Sequence, residues 1–495
     1  MHFIHRFRRF HRYGFLCVFV TSCLIPIRGF AEDRGHGPNA SFVSQIDALL
    51  SEPGLKGGFQ GVVIRSLKDG ATWYERNPDT MFIPASNEKL LTSSSVLNTL
   101  GPNWKYVTRL VRDGVIDSDG TLHGRLILVG SGDPLLADKD LDALVDAAKT
   151  VGIKRVDGDV IADESRFDSV RYGDGWSWDD MSFYYSAQVS ALNLNGNMIQ
   201  IHTDPGRAPG DAVRIKVTPT LHYVKFINRA KTVAKGEKTA LVISRELGAN
   251  RVTITGPLAL DAKPDDHKPV GVTVEDPARY AAVVFAEKLR LSGILTDGIG
   301  VGQSPPSAIA IGIHESPPLS EILKRLNKPS DNLVAECLLK TLGAEKSAKG
   351  IGTWASGREA ANSWFASIGM DANGIDMTDG SGLSRQTFAT PHNLAVLLKT
   401  MYSHPDSKAF IDSLPIAGVD GTLRNRMKGT AAEGNCRAKT GTLSSVSSLS
   451  GYVTTADGEP LLFVILMNNH KARASIATGV QNKIVELLAS WKKTG

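Results

Sequence analysis

The stretch Pro84-Ala85-Ser86-Asn87-Glu88-Lys89-Leu90-Leu91 sets a serine three residues before a lysine, where an apolar run begins. Three residues is slightly less than one helical turn, so both side chains emerge on one helix face. A serine hydroxyl is a weak nucleophile until a neighbour takes its proton. A lysine one turn away, desolvated by its surroundings, has its pKa lowered toward that task. The Pro-Ala lead-in and the following Leu90, Leu91, Val96 and Leu97 have Ser86 opening a buried helix, near the positive end of its dipole. The pattern also fits a serine N-cap with an exposed lysine, so its meaning depends on its companions.

Two companions follow in order. Ser330-Asp331-Asn332 lies between helical runs at Leu319–Leu326 and Leu333–Leu342 and offers a hydroxyl and an amide two residues apart. A helix N-cap is the plainer reading of such a triplet. Lys439-Thr440-Gly441-Thr442 lies in a strand-like stretch, Asn435–Ser444, expected at a sheet edge beside a cleft. There glycine admits a close backbone approach, lysine supplies positive charge and the threonines supply hydroxyls for a carboxylate. A second Lys-Thr-Gly, Lys493–Gly495, ends the chain after a helix and is set aside as a fraying terminus.

The chain has 495 residues, 42% hydrophobic and 22% charged, as expected of a soluble protein of two or more domains. Its formal charge of +5 invites a polyanion partner. All of that excess sits in residues 1–31, where Arg6, Arg8, Arg9, Arg12 and Arg28 face no acid; 51 of the 56 basic residues then balance 51 acids. No nucleic-acid partner is expected.

Residues 1–31 read as a signal peptide: a basic start, an apolar Phe15–Ile27 too short to span a bilayer, and Gly29-Phe30-Ala31 for cleavage. Val20-Thr21-Ser22-Cys23 resembles a lipobox, and lipidation at Cys23 is the alternative. Leu461–Met467 is a buried strand by length. Cys337 and Cys436 remain in the exported chain, either paired or as two free buried residues.

Ser41–Leu50 alternates as an amphipathic helix, and Gly61–Ser66 with Ala71–Glu75 reads as a hairpin. From 106 to 270 short strand-like runs recur between Gly/Asp turns, interrupted by one clear helix at Leu141–Val151. After Pro277 helical spacing returns, and the chain closes on three strands and the helix Ala474–Trp491. The expected architecture is α+β: an antiparallel sheet flanked by helices in 32–105 and 271–495, split by one or two β-rich inserted domains at 106–270.

The trio, its order and its spacing carry a resemblance. Ser86 and Ser330 lie 244 residues apart, Ser330 and Lys439 109. With Gly130–Pro134, the aromatic run Gly175–Ala187 and Asp379–Arg385, the sequence resembles the low-molecular-mass class C penicillin-binding proteins, the D-alanyl-D-alanine carboxypeptidase/endopeptidase family. The first gap is too long for a compact β-lactamase and fits that family's insertion.

The resemblance implies a penicillin-binding, β-lactamase-like core and a periplasmic enzyme acting on peptidoglycan stem peptides. Ser86 would form the acyl-enzyme and Lys89 would take its proton. Ser330 and Asn332 would relay protons and hold the substrate amide, and Lys439 would stabilise charge. Thr440, Gly441 and Thr442 would line the site for the terminal carboxylate, with backbone N–H groups of Ser86 and Thr442 meeting the oxyanion. β-Lactams would acylate Ser86. Asp180, Tyr185 and Arg385 match a clamp for the charged end of a diaminopimelate side chain. Ser444 stands where that clamp often has glutamine. Peripheral membrane association is left open. The alternatives are a serine β-lactamase or esterase on the same scaffold, and a non-catalytic peptidoglycan-binding protein.

No Gly-x-Ser-x-Gly elbow, no zinc pattern and no dinucleotide fingerprint is present, and Gly130-Ser131-Gly132 lacks the Gly-Lys-Ser/Thr end of a phosphate loop. No metal or cofactor is expected.

Overall fold

The computed structural model describes residues 39–492. The leader, with Cys23 and Ala31, and the terminal Lys493–Gly495 lie outside the described residues. No helix among the described residues is long and apolar enough to cross a membrane.

The central sheet is antiparallel and five-stranded. Its order is Arg437–Leu443, Val446–Thr454, Pro460–Asn468, Phe59–Ser66, Thr72–Arg76. Strand period two explains its burial. Val62, Ile64, Leu461, Phe463 and Ile465 pack with Phe42, Ile46, Ile484 and Leu488, from the helices Ala40–Leu50 and Ala474–Ser490, on one face. Val63, Leu462, Val464 and Leu466 pack with Leu394 and Leu398, from the helix Pro391–Tyr402, on the other. Leu461–Met467 is apolar throughout because both its faces are covered. Arg437–Leu443 is an edge strand, as its sequence suggested.

On that second face lie the helices Glu88–Leu100 and Asn332–Lys346. Residues 88–97 and 333–344 are buried on every side, polar ones included, which marks central helices rather than surface ones. Gly101, at φ 78°, ends the first. Asp331 caps the second, accepting from the Val334 N–H at 3.2 Å. The capping role in Ser330-Asp331-Asn332 therefore falls to Asp331, and Asn332 is the first helical residue rather than a loop residue.

The strands that follow residue 105 find partners beyond residue 270. A second five-stranded sheet runs Leu295–Val301, Arg155–Asp163, Thr121–Val129, Val107–Ile116, Ile309–Glu315. Both edge strands come from beyond residue 270. The helices Leu141–Thr150 and Pro277–Leu291 pack into the same core through Leu144, Val145, Phe285 and Leu289. Three small sheets within 198–273 complete it. The boundary expected at 270 thus falls inside this module. The chain leaves and re-enters side by side: the Ser316 N–H donates to Tyr106 O at 3.0 Å, and the Tyr106 N–H to Ser316 Oγ at 2.9 Å. Cys337 and Cys436 are both free and buried.

Candidate active site

Ser86 sits in a single helical turn, Ala85–Asn87, that leads into Glu88–Leu100. Ala85 before it has φ 48°, a left-handed conformation that alanine adopts only when its surroundings fix it. Those surroundings are the edge strand and its neighbour. The Asn87 amide donates to Lys439 O at 3.2 Å and to Ser448 Oγ at 2.8 Å, and the Ser448 hydroxyl donates to Pro84 O at 2.7 Å. A Cβ on Gly441 would stand 2.9 Å from Ser86 N and 2.8 Å from Pro84 O. Only glycine there lets the Ser86 turn close on the strand.

Lys89 is fully buried. Its Nζ lies 3.0 Å from Ser86 Oγ, 2.6 Å from Asn332 Oδ1 and 2.8 Å from Ser381 O. Burial lowers its pKa to about 8, against the opposing pull of Glu336, Asp379, Asp331 and Glu88. Two of its three partners are carbonyl oxygens, which can only accept. A neutral amine has two N–H donors and one lone pair. With the donors on Asn332 and Ser381, the lone pair is left facing the Ser86 hydroxyl.

Lys439 is also fully buried, and donates to Ser330 Oγ and to Thr440 O, both at 2.8 Å. Burial and then the Lys89 charge hold its ammonium well below the usual lysine range. Ser330 has φ 66° and presents its hydroxyl from the turn before the helix Asn332–Lys346. The Asn332 amide nitrogen donates to Tyr185 O at 2.8 Å, so Asn332 bridges Lys89 to the aromatic segment.

These groups border one cleft of about 630 Å³, whose wall includes Ser86, Ser330, Asn332, Thr442, Asp180, Tyr185, Arg385 and Ser444. Lys89, Lys439 and Gly441 stand behind that wall. The Thr440 hydroxyl is exposed and donates to Thr422 Oγ1 at 2.7 Å. The Tyr185 hydroxyl donates to Asp180 Oδ1 at 2.7 Å, and burial together with Asp180 raises its pKa. Arg385 donates to Ser444 O at 3.0 Å. That acceptor is backbone, so this bond is indifferent to the residue type at 444.

Asn87, Ser448 and Thr422 hold the site together but went unread. Each is a common polar residue, and only its position across the fold gives it a role. Glu336 had a signal, a lone acid in Leu333-Val334-Ala335-Glu336-Cys337-Leu338-Leu339.

A five-stranded antiparallel sheet that bolts a buried Ser-x-x-Lys turn beside a Lys-Thr-Gly edge strand defines the penicillin-binding class of serine acyl-transfer folds. Within that class the chain belongs to the D-Ala-D-Ala carboxypeptidase 3 (S13) family, whose pattern matches residues 42–491. It is thereby a serine hydrolase of carboxypeptidase type. It is 38% identical over 461 residues to a D-alanyl-D-alanine carboxypeptidase of an Actinomadura species, covering 90% of this chain and 84% of that one. The crystal structure of penicillin binding protein 4 from Haemophilus influenzae matches with a TM-score of 0.80 at 28% identity, over 90% of this chain and 99% of that one. The same protein in complex with a β-lactam matches with a TM-score of 0.74 at 26% identity, over 90% and 100%.

Proposed function

We propose that this enzyme removes the terminal D-alanine from peptidoglycan stem peptides, and opens D,D cross-links, through an acyl-enzyme on Ser86. The observation that carries this reading is the 3.0 Å approach of Lys89 Nζ to Ser86 Oγ, with the amine's other partners both acceptors.

Lys89 takes the Ser86 proton as Oγ attacks the carbonyl between two D-alanines. Backbone N–H groups of Ser86 and Thr442 receive the oxyanion; one such donor is typically worth about 10²–10³ in rate. The proton reaches the leaving amine along Lys439 and Ser330, which are 2.8 Å apart. The leaving group departs as free D-alanine or as a cross-linked peptide end. Water then attacks the ester and restores the Ser86 hydroxyl. Thr440 and Thr442 meet the substrate carboxylate. A β-lactam follows the same first step and stays attached longer, in line with the β-lactam complex of the Haemophilus relative.

Asp180, Tyr185 and Arg385 form the clamp for a diaminopimelate side-chain end, an ammonium on Asp180 and a carboxylate on Arg385. The leader directs export to the periplasm. Residues 39–105 and 316–492, with the cleft-lining segment that carries Asp180 and Tyr185, serve as the catalytic part, and the rest of 106–315 is inserted.

The test is digestion of purified muropeptides by the mature enzyme and by Ser86→Ala, read by mass. Loss of terminal D-alanine and opening of D,D cross-links should both vanish in the variant. An equally active variant would remove Ser86 from the mechanism.

A further inference from the structure

One of the two carbonyls that orient Lys89 belongs to Ser381, in the loop Asp379-Gly380-Ser381-Gly382. Two buried carboxylates hold that loop. Asp379 holds it from within, accepting the N–H groups of Gly382 and Ser384 at 2.8 Å each and the Trp176 indole at 2.9 Å. Glu336 holds it from the middle of the helix Asn332–Lys346. One oxygen, Oε2, accepts the Gly380 N–H at 2.8 Å and the Trp354 indole at 2.7 Å. The Thr92 hydroxyl, one turn along from Lys89, donates to Gly380 O at 2.6 Å. Gly382 has φ 74°, and a Cβ there would stand 1.9 Å from Ala85 O, beside the nucleophile. The loop is therefore wedged between the Ser86 turn and the Glu336 helix, and a shift at Gly380 moves the Ser381 carbonyl.

We propose that Glu336 is a positioning residue for acylation: through the Gly380 N–H it keeps the Ser381 carbonyl on Lys89, and so keeps the amine's lone pair on Ser86. The inference rests on the reading of Ser86 and Lys89 as nucleophile and base. Glu336 touches no reacting atom. Its carboxylate is also the largest single charge raising the Lys89 pKa against burial. Around Lys89 stand Glu88 on its own helix, Asp331 at the cap of the Asn332 helix, Glu336 on that helix, Asp379 in the loop and Lys439 on the edge strand. Burial and Asp379 push the Glu336 carboxyl up to about 7, so it titrates close to the amine it faces.

The test is the rate of acylation by a fluorescent penicillin, measured against pH, with thermal melting recorded alongside. In Glu336→Gln a single amide oxygen keeps both hydrogen bonds while the charge goes. The acid limb should move to lower pH by about half a unit or more, because Lys89 loses a supporting anion. In Glu336→Ala the loop loses its anchor, and the plateau rate should fall about tenfold or more below that of Glu336→Gln. A folded Glu336→Ala whose plateau equals that of Glu336→Gln overturns the proposal, and so, whether or not Glu336→Ala folds, does a Glu336→Gln whose plateau falls about tenfold below wild type, since its amide oxygen keeps both hydrogen bonds. Ser86→Ala run in parallel separates the two readings: retained labelling there sinks the nucleophile, whatever Glu336 does.

Discussion

Asn332 Oδ1 lies 2.6 Å from Lys89 Nζ and joins the two central helices at the base of the cleft. The bond fixes one of the two N–H directions of a neutral Lys89, and so helps to aim its lone pair. Asn332→Ala frees the amine to rotate, and acylation by a labelled penicillin should fall about 10²-fold, the usual cost of misaligning a reacting group. Asn332→Asp replaces a neutral acceptor by an anion, which favours the ammonium. Its acid limb should therefore rise to higher pH, opposite in sign to the shift expected of Glu336→Gln.

The wild-type profile follows from the same amine. On the proposed mechanism Lys89 acts as base only when neutral, and its pKa is lowered to about 8 by burial. Acylation should climb with pH through about 8 and then level. Folding carries the matching sign. A lysine depressed in the folded state binds fewer protons there than in the unfolded chain between about 8 and its ordinary value of 10.5. Its contribution to stability therefore rises with pH across that window and is at its most costly below it. Thermal melting of wild type and Lys89→Met from pH 7 to 10 should show wild type gaining on the variant as pH rises.

Gly441→Ala tests the bolt between the nucleophile's turn and the edge strand. The added methyl would meet Ser448 Oγ at 2.1 Å, Pro84 O at 2.8 Å and Ser86 N at 2.9 Å, and two of these atoms are backbone. Something must shift. Overpacking of this kind costs about 1–3 kcal/mol. On the proposed mechanism the Ser86 N–H is also an oxyanion donor, so acylation should fall about 10²–10³-fold. Melting temperature and labelling rate measure the two effects separately, and a variant that labels at the wild-type rate would disconnect Gly441 from the oxyanion site.

What the sequence disclosed was what local chemistry encodes. Thr390 before Pro391 is a capped helix start, and Pro391–Tyr402 was legible at both ends. The short apolar run Leu461–Met467 and the hairpin at Gly61–Ser66 and Ala71–Glu75 marked strands of the sheet, and the Lys-Thr-Gly stretch marked its edge. The strands Leu295–Val301 and Ile309–Glu315 were missed. Each is exposed or half-buried throughout, and glycine at 298, 300 and 312 weakens the strand pattern. Their pairing with Arg155–Asp163 and Val107–Ile116 is long-range, so nothing local announces it. Within the site, residue types gave the reacting groups but not their directions. The Thr440 hydroxyl already bonds Thr422, and Asp331 takes the cap between Ser330 and Asn332.

The cleft's far end should discriminate substrates. Asp180 and Arg385 both line it, and each already bonds a neighbour, Tyr185 and the Ser444 carbonyl. A substrate carboxylate arriving at Arg385 gains a charge-assisted bond worth more than the neutral one it replaces. For Arg385→Ala, the kcat/KM ratio between peptides with and without a charged side-chain end should fall about tenfold or more. An unchanged ratio would leave Arg385 as a brace for the Ser444 turn alone.

Asp133 offers a stability test remote from the catalytic groups. It is 2% exposed in the stretch Gly130–Pro134. Burial raises its carboxyl to about 6, partly opposed by the Leu135 N–H, which donates to Oδ1 at 2.9 Å, and by His314 at 4.0 Å. With a folded pKa above the unfolded value of 3.8, the native state binds more protons between 3.8 and about 6. Stability therefore falls as pH rises through that window, and the full cost is present above it. A difference of this size corresponds to at most about 3 kcal/mol. Asp133→Asn keeps an oxygen for the Leu135 N–H and carries no charge. Denaturant titration should show the variant more stable than wild type at pH 7.5 and indistinguishable at pH 3.5. A gain that persists at pH 3.5 would point to packing, and a loss at pH 7.5 would mean that the Asp133 charge is worth more to the turn than its burial costs.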